Sequence, residues 1–331
     1  LRWYRIVTGS QTWDATGDSY ALNIELDISV GPNHAPANPN AAWCRVWGIP
    51  LQTILTANQF NSQSIQVYGG MQQGLPLANP GERGLLVQGT IFPCLGNWTG
   101  TDMTLDFYIK AIQGTSSVPG AANITHNWPA GQQLSTAVQS ALQTAFPGFT
   151  TNIKISPNLI RPNDEWGFYQ TIGQYATFLF NASKDIIKTS GYQGIQLSVQ
   201  GKTINVVDGT QGQVTGPTIN PWDLVGQPVW TGVNTIQFKT VMRGDLNIQQ
   251  TVTLPRSLAT LTYNNNTALP NNPTQTNLIQ GSFIIQNIRH VGNFRQPSWS
   301  DWCTIVDAIK ANVGGSSGAS TPLGLGGIGH A

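Results

Sequence analysis

Two stretches of strict alternation constrain the fold of this chain more than any other feature. In residues 18–30, Tyr20, Leu22, Ile24, Leu26, Ile28 and Val30 take every second position, with Ala21, Asn23, Glu25, Asp27 and Ser29 between them. Met103, Leu105, Phe107, Ile109 and Ala111 repeat the rhythm against Thr104, Asp106, Tyr108 and Lys110. A period of two sends successive side chains to opposite faces, so each run predicts a half-buried strand. Ser64-Ile65-Gln66-Val67-Tyr68 and residues 85–92 read as further strands, punctuated by Gly31-Pro32-Asn33 and Asn79-Pro80-Gly81. Long strands with one polar face suggest a barrel or sandwich. Leu22, Ile24, Leu26 and Ile28 are expected at core or interface positions, with the opposite face polar and wet.

The period changes after Gly114-Thr115-Ser116-Ser117-Val118-Pro119-Gly120, a linker by composition. Leu134, Ala137, Val138, Ala141, Leu142 and Ala145 line one face of a helix that Pro147-Gly148 ends. A second helix is expected after Asn163-Asp164, with Tyr169, Ile172, Ala176 and Leu179 on its inner stripe. Residues 194–207 predict a hairpin turning at Gly201-Lys202. From about residue 212 the chain returns to strands, at 235–241, 250–254 and 282–290. Residues 264–277 are too rich in Asn, Pro and Thr for a strand and read as a long loop. Residues 300–312 fit a helix (Ser300, Ile305, Ile309) or a strand (Trp302, Thr304, Val306). The segment from Gly314-Gly315-Ser316-Ser317-Gly318 onward has the composition of a flexible tail.

The surface chemistry is unusual. Of 331 residues, a length that favours two or three domains, only 9% are charged, against about 25% in ordinary soluble domains. Polarity comes from 27 Asn and 28 Gln instead. Hydrophobic residues make up 40% and there are eleven Trp, which excludes charge-driven disorder. A net charge of +1 argues against a protein that holds nucleic acid by neutralising many phosphates. It also leaves little self-repulsion, so the surface tolerates contact with other copies. No apolar run reaches the roughly 18 residues of a membrane span. Leu1-Arg2-Trp3-Tyr4-Arg5-Ile6 carries no signal-peptide core, and sequons at Asn97, Asn123, Asn181 and Asn265 are explained as well by chance as by secretion. The expected address is an intracellular compartment or an assembled particle.

A search for chemistry returns no active site. Cys44, Cys94 and Cys303 cannot all pair and form no C-x-x-C, so idle buried thiols are expected. Of the four His, His34, His126, His290 and His330, no two stand at metal-ligand spacing. Gly201-Lys202-Thr203 lacks the earlier Gly of a phosphate loop, since position 196 is Gln196, and it sits in a hairpin. Asp102 and Asp106 share a strand face, but four strand residues separate them by about 13 Å, too far for a glycosidase pair; a solvated face is expected there. Asp164-Glu165 reads as a helix cap. Trp3, Trp13, Trp43, Trp47, Trp98, Trp222 and Trp230 could stack on sugars or bases, but few charges with many Trp and amides describe permanent contacts better. No catalytic, cofactor-binding or metal residue is assigned, and the chain is read as no enzyme.

Three segments together carry a family resemblance. The first is residues 85–109, with Gly96-Asn97-Trp98-Thr99-Gly100-Thr101-Asp102-Met103. The second is Leu224-Val225-Gly226-Gln227-Pro228, continuing through Ile236-Gln237-Phe238 to Met242-Arg243-Gly244-Asp245-Leu246 and Val252-Thr253-Leu254-Pro255. The third is Ile288-Arg289-His290-Val291-Gly292-Asn293-Phe294-Arg295, then Trp302. In this order they resemble the baseplate hub proteins of contractile-tailed bacteriophages, relatives of the hub half of secretion-system spike proteins.

The resemblance implies an α+β, predominantly β chain with two tube-like β-barrel domains and a helix-containing middle domain. The expected division is a first barrel over 1–113, a linker over 114–120, an α/β insert over 121–211, a second barrel with closing strand over 212–312, and a Gly/Ser-rich tail over 313–331. It tips residues 300–306 toward strand. It further implies a homotrimer whose six barrels form a pseudo-hexameric ring in the virion, joining a hexameric tail tube to a trimeric central spike. Tape measure and other baseplate proteins are then expected as partners, assembly takes place in the host cytoplasm, and no membrane insertion follows. A channel lined by Gln, Asn and Thr would pass DNA without binding it. A carbohydrate- or receptor-binding tail-fibre tip is the alternative, and a hydrolase assembled from Asp102, Asp164 and His290 a remoter one.

Overall fold

The computed structural model describes residues 1–17, 21–33, 42–72, 79–110, 123–189, 192–212, 214–232, 234–258, 260–261 and 278–311. The linker at 114–120, the loop at 264–277, the tail at 313–331, Tyr20, Ala111, His34 and His330 lie outside them. The first strands are β1 (Arg2–Thr8), β2 (Thr12–Asp14), β3 (Asn23–Val30), β4 (Ala42–Trp47), β5 (Ser64–Met71), β6 (Gly84–Thr99) and β7 (Asp102–Lys110), with helix α1 (Leu51–Leu55) between β4 and β5. The middle segment holds β8 (Ile124–Trp128), α2 (Leu134–Ala145), β9 (Thr150–Lys154), β10 (Glu165–Tyr169), α3 (Ile172–Ile186), β11 (Gln196–Gln200) and β12 (Thr203–Val207). The last strands are β13 (Val214–Thr218), β14 (Val229–Trp230), β15 (Thr235–Val241), β16 (Gln250–Leu258), β17 (Thr260–Leu261), β18 (Leu278–Asn293) and β19 (Trp302–Lys310). The chain is therefore predominantly β and of the α+β class.

Strands from both ends of the chain form one 14-stranded sheet, ordered β17-β14-β15-β19-β18-β3-β4-β7-β6-β5-β1-β2, with β16 paired to β18 and β13 to β16. The two halves meet where β18 pairs antiparallel with β3, from Ile288↔Val30 to Asn293↔Glu25. Two separate closed barrels do not appear: among the described residues the sheet is open, ending at β2, β17 and, on its branch, β13. Alternation explains the join, because β3 buries Ile24, Leu26, Ile28 and Val30 while Asn23, Glu25, Asp27 and Ser29 stay half-buried. Leu22, expected with them, precedes the strand and is exposed, lying instead against the backbone of Gly48.

The two halves repeat one strand order. The series β3-β4-β7-β6-β5-β1 is matched by β14-β15-β19-β18-β16-β13, and chain order is kept within each. The first four neighbouring pairs are antiparallel in both halves; only β13–β16 is parallel where β1–β5 is antiparallel. The long strands β6 and β18 have 16 residues each, and their hairpin partners β7 and β19 have 9 each. Each long strand also carries one extra residue against its partner, between Ile91 and Cys94 in β6 and between Ile285 and Asn287 in β18. Such bulges bend a strand and sharpen its twist. One hydrophobic core runs beneath both halves, from Tyr4 and Ile6 to Val306 and Ala308.

The middle segment has its own core, Ile124 to Val206, packed from α2, α3 and the sheets β11-β12-β9 and β10-β8. Helix α2 buries the six residues its periodicity assigned inward. The hairpin turns at Gly201-Lys202 as expected, with Gly201 in the left-handed region (φ +57°) that favours glycine. The second helix begins later than expected. Residues Glu165–Tyr169 alternate and are rich in aromatics, so they form β10 against β8. Helix α3 starts at Ile172 behind a capping box made by Thr171 and Gln174. Asp164 caps no helix; its carboxylate accepts the Ala130 amide at 2.7 Å, while Glu165 pairs with Arg161. Beyond Trp302 the ambiguous segment is strand β19.

Candidate functional site

The seam between the halves gathers the residues that carry the resemblance. On β18, Arg289 forks onto Asp27 of β3 at 2.8 and 2.6 Å, and this hydrogen-bonded pairing raises the Arg289 pKa. The next residue, His290, points into the core, where its Nδ1 lies 3.0 Å from Thr304 Oγ1. Burial pushes its pKa down to about 3, so the ring is neutral and acts as a packing and hydrogen-bonding group. Gly292 leaves room for Trp302: a Cβ there would lie 2.7 Å from the indole ring. Trp302 crosses the seam and donates its Nε1–H to Gly70 O on β5 at 2.9 Å. Arg2 closes the same end through the carbonyls of Asn293, Phe294, Gln296 and Ser298.

A second latch sits at Arg243, which is buried. Its guanidinium binds Asp245 at 2.7 Å and faces Glu82 at 3.5 Å and Asp223 at 3.9 Å. Glu82 and Asp223 are buried too. Burial outweighs the arginine and raises the Glu82 pKa. Beside it the backbones of Gly84 and Gly244 touch so closely that a Cβ on Gly84 would lie 2.7 Å from Gly244 O. Glycine is required on both sides of this crossing. Glu82 belongs to the first half and Arg243 to the second, so one cation binds the halves together. Arg2, Gly70 and Glu82 had no signal in sequence, since each acts through a partner more than 100 residues away.

The solvent-facing side of the sheet is a lattice of paired polar groups. Arg45 forks onto Asp106 at 2.6 and 2.7 Å, Asn97 adds a third hydrogen bond at 3.0 Å, and Glu25 lies 3.9 Å away. Trp43 and Trp47 flank the Arg45 guanidinium at 5.1 and 5.7 Å. Asp106 is therefore buried under this cluster and does not belong to the solvated face expected for it; Asp102 is exposed. A groove of about 340 Å³ over Ser29, Gln237, Lys239, Arg289 and Asp307 lies on the same side. There Gln237 donates to Asp307 at 2.9 Å.

The other sequence candidates fall in separate surroundings. His126 is buried in the insert with Nδ1 3.0 Å from Tyr175 OH, and burial lowers its pKa to about 4. All three cysteines are buried and free, and burial raises their thiol pKa values. Trp13 and Trp230 are core residues, whereas Trp98 and Trp222 are exposed. The most exposed is one not singled out, Trp166 at 83%, with Phe168 two residues on. Among the described residues no group of three His, Cys, Asp or Glu could hold a metal, and no helix is long and apolar enough to cross a membrane.

No family model and no curated protein matches the sequence. Solved structures do. The 43 kDa tail protein of prophage MuSo2 from Shewanella oneidensis superposes with a TM-score of 0.51 at 6% identity, over 94% of this chain and 97% of that one. The chain has the fold of phage tail proteins. The E. coli c3393 protein, a type VI secretion component with structural similarity to the T4 tail proteins gp27 and gp5, gives a TM-score of 0.51 at 8% identity, over 93% of this chain and 77% of that one. At such identities the likeness is one of fold, and it covers the sheet and the insert alike. Within this tail fold the three resemblance segments have distinct places. The first is the β6–β7 hairpin, the second supplies the Arg243 latch, and the third forms the seam itself.

Proposed function

We propose that this chain is a structural virion protein: a trimeric hub that joins the hexameric tail tube of a phage-like particle to its trimeric central spike. The observation that carries this reading is the repeated strand order. One chain supplies two topologically alike units, so three chains supply six, the number needed to meet a sixfold tube while keeping threefold symmetry below. The units proposed are two tube-like domains over 1–113 and 212–312, separated by the linker at 114–120 and the insert at 121–211, with the tail at 313–331. Its partners are then the tube, spike, tape measure and other baseplate proteins, and its place is the virion baseplate after assembly in the host cytoplasm.

The polar side of the sheet suits a channel wall. Two of its arginines, Arg289 and Arg45, are matched by Asp27 and Asp106, so they offer little free positive charge to a passing DNA backbone. The work is assembly and enclosure, with no catalytic step. Light scattering behind size exclusion tests this: three chains of 35.7 kDa, about 107 kDa together, are expected, with negative-stain images showing a ring with a hole. A hexamer or a ringless particle would overturn it.

A second reading, a carbohydrate- or receptor-binding protein, draws on Trp166 and Phe168, which project side by side from β10 away from the insert core. Saturable glycan binding by the isolated chain, lost on Trp166→Ala, would favour it.

A further inference from the structure

The internal repeat assigns a partner to an open strand edge, an inference that rests on the trimeric reading above. In the second half, the edge of β18 turned away from β19 is used twice: residues up to Ile284 pair with β16, and Ile288 to Asn293 pair with β3 of the first half. In the first half, the matching edge of β6 is used once. Ser64↔Thr90 to Gly69↔Gly84 joins it to β5, and beyond the bulge, among the described residues, no strand pairs with residues 94–99 on that edge. Register makes the correspondence residue-specific. The pairs Cys94↔Phe107 and Trp98↔Met103 in the first half stand where Ile288↔Val306 and Gly292↔Trp302 stand in the second. Residues 94–99 are thus the counterpart of the six residues that β3 covers. They are also exposed from Leu95 onward, with Leu95 and Trp98 presenting apolar side chains. The Cys94 N–H is taken by Asn61 Oδ1 at 2.8 Å, and beyond it, among the described residues, the edge carries no strand; such an apolar edge is a template for another strand.

The counterpart of β3 is β14. Ile28↔Ala42 in the first half matches Trp230↔Ile236 in the second, and the bridge Leu224↔Thr240 matches Ile24↔Val46. We infer that residues 94–99 of one copy pair antiparallel with residues 227–232 of a second copy, repeating between chains the β18–β3 junction made within each chain. Transferring the pair Val291↔Asp27 sets Asn97 opposite Val229 of the next copy. The contact is heterologous, and it alternates with the internal seam around the ring, so three such contacts close it. In the single chain the two-residue parallel pairing of β17 occupies Val229–Trp230; the incoming strand takes its place.

The test is the double variant N97C/V229C in the full chain, oxidised and run without reductant, beside each single variant. A covalent trimer from the double variant, with single variants going no further than dimers, is expected. A trimer by light scattering whose double variant gives no cross-link, or dimers alone, overturns the edge assignment and leaves the trimeric reading standing. A 35.7 kDa monomer in every form overturns the trimeric reading and this contact with it. Hydrogen exchange on the unaltered protein covers a variant that fails to fold. Backbone amides of residues 95–99 should exchange at least about tenfold more slowly in the trimer than in dilute monomer, and equal rates would overturn the pairing.

Discussion

The far halves of β18 and β6 are counterparts in sequence order, hairpin partner and bulge, yet one is buried and the other bare. Residues 288–293 lie under β3 and beside Trp302, while residues 95–99 face solvent. Length does not explain the contrast, since both strands run 16 residues. What differs is supply: β3 is at hand in the same chain for β18, and among the described residues no equivalent strand lies beside the far half of β6. A half-built repeat of this kind teaches that an exposed edge is to be judged against its covered twin before it is read as a defect.

The largest effect should come from removing the cover. Ile24 is fully buried at the seam end of β3, and Phe294 N–H donates to its carbonyl at 2.9 Å. Ile24→Asp places an unpaired carboxylate in the core, a change that costs more than about 4 kcal/mol. Loss of the folding transition in urea is expected, and a soluble, assembled I24D protein would refute the strand's assignment to the core.

Next comes the latch. Arg243→Met leaves Glu82, Asp223 and Asp245 facing one another with no cation, a loss of about 3–5 kcal/mol. Glu82→Gln should behave oppositely. Its raised pKa means that folding favours the protonated acid, so its contribution is present below the usual 4.5 and lost as pH rises through the higher folded value. The neutral amide removes that loss, and E82Q should melt within about 1 kcal/mol of the unaltered protein, or above it, at pH 7. Equal destabilisation by R243M and E82Q would show that the latch acts by packing alone.

The seam and the insert can also be compared by acid. His290 and His126 are held neutral by burial, with pKa values of about 3 and about 4 against an ordinary 6.5. Depressed basic groups leave stability intact above 6.5 and drain it as pH falls toward the folded value, because only the unfolded chain takes up the proton. Each histidine then contributes a slope of about 1.4 kcal/mol per pH unit between pH 6 and 4. Urea unfolding across that range should show a flatter slope for His290→Gln at the seam and for His126→Gln in the insert. A slope unchanged in both would mean that neither ring is buried neutral.

Legibility in the sequence followed the range of the interaction. Helix α2 was readable to the residue because Leu134, Val138 and Leu142 repeat locally, and the Gly201-Lys202 hairpin because its turn chemistry is local. Strand β10 was misread because Glu165-Trp166-Gly167-Phe168-Tyr169 borders the true helix and its strand partner lies some 40 residues back in β8. Asp106 was read as solvated because nothing near it announces Arg45. The seam was visible only as a motif: Arg289, His290, Gly292 and Trp302 could be matched to a family, but not to Asp27, Thr304 and Gly70, the groups that explain them. Long alternating strands read as a barrel or sandwich, and nothing local announces the β18–β3 pairing that joins the halves across more than 250 residues.

The smallest effect on stability should be the sharpest on the comparison itself. Trp302 and Trp98 stand on the two matching hairpins, one 2% exposed and one 64% exposed. Trp302→Ala opens a cavity against Gly292 and strands the Gly70 carbonyl, at about 3–5 kcal/mol. Trp98 has only its indole N–H bound, to Gly100 O at 2.9 Å within its own turn, so Trp98→Ala should shift the unfolding of the single chain by no more than about 0.5 kcal/mol. If residues 94–99 await a neighbouring copy, the same change should weaken the trimer when followed by light scattering on dilution, leaving circular dichroism unaltered. A Trp98→Ala chain that assembles as tightly as the unaltered one would make the bare edge a true terminus of the sheet, and the likeness between β6 and β18 one of topology alone.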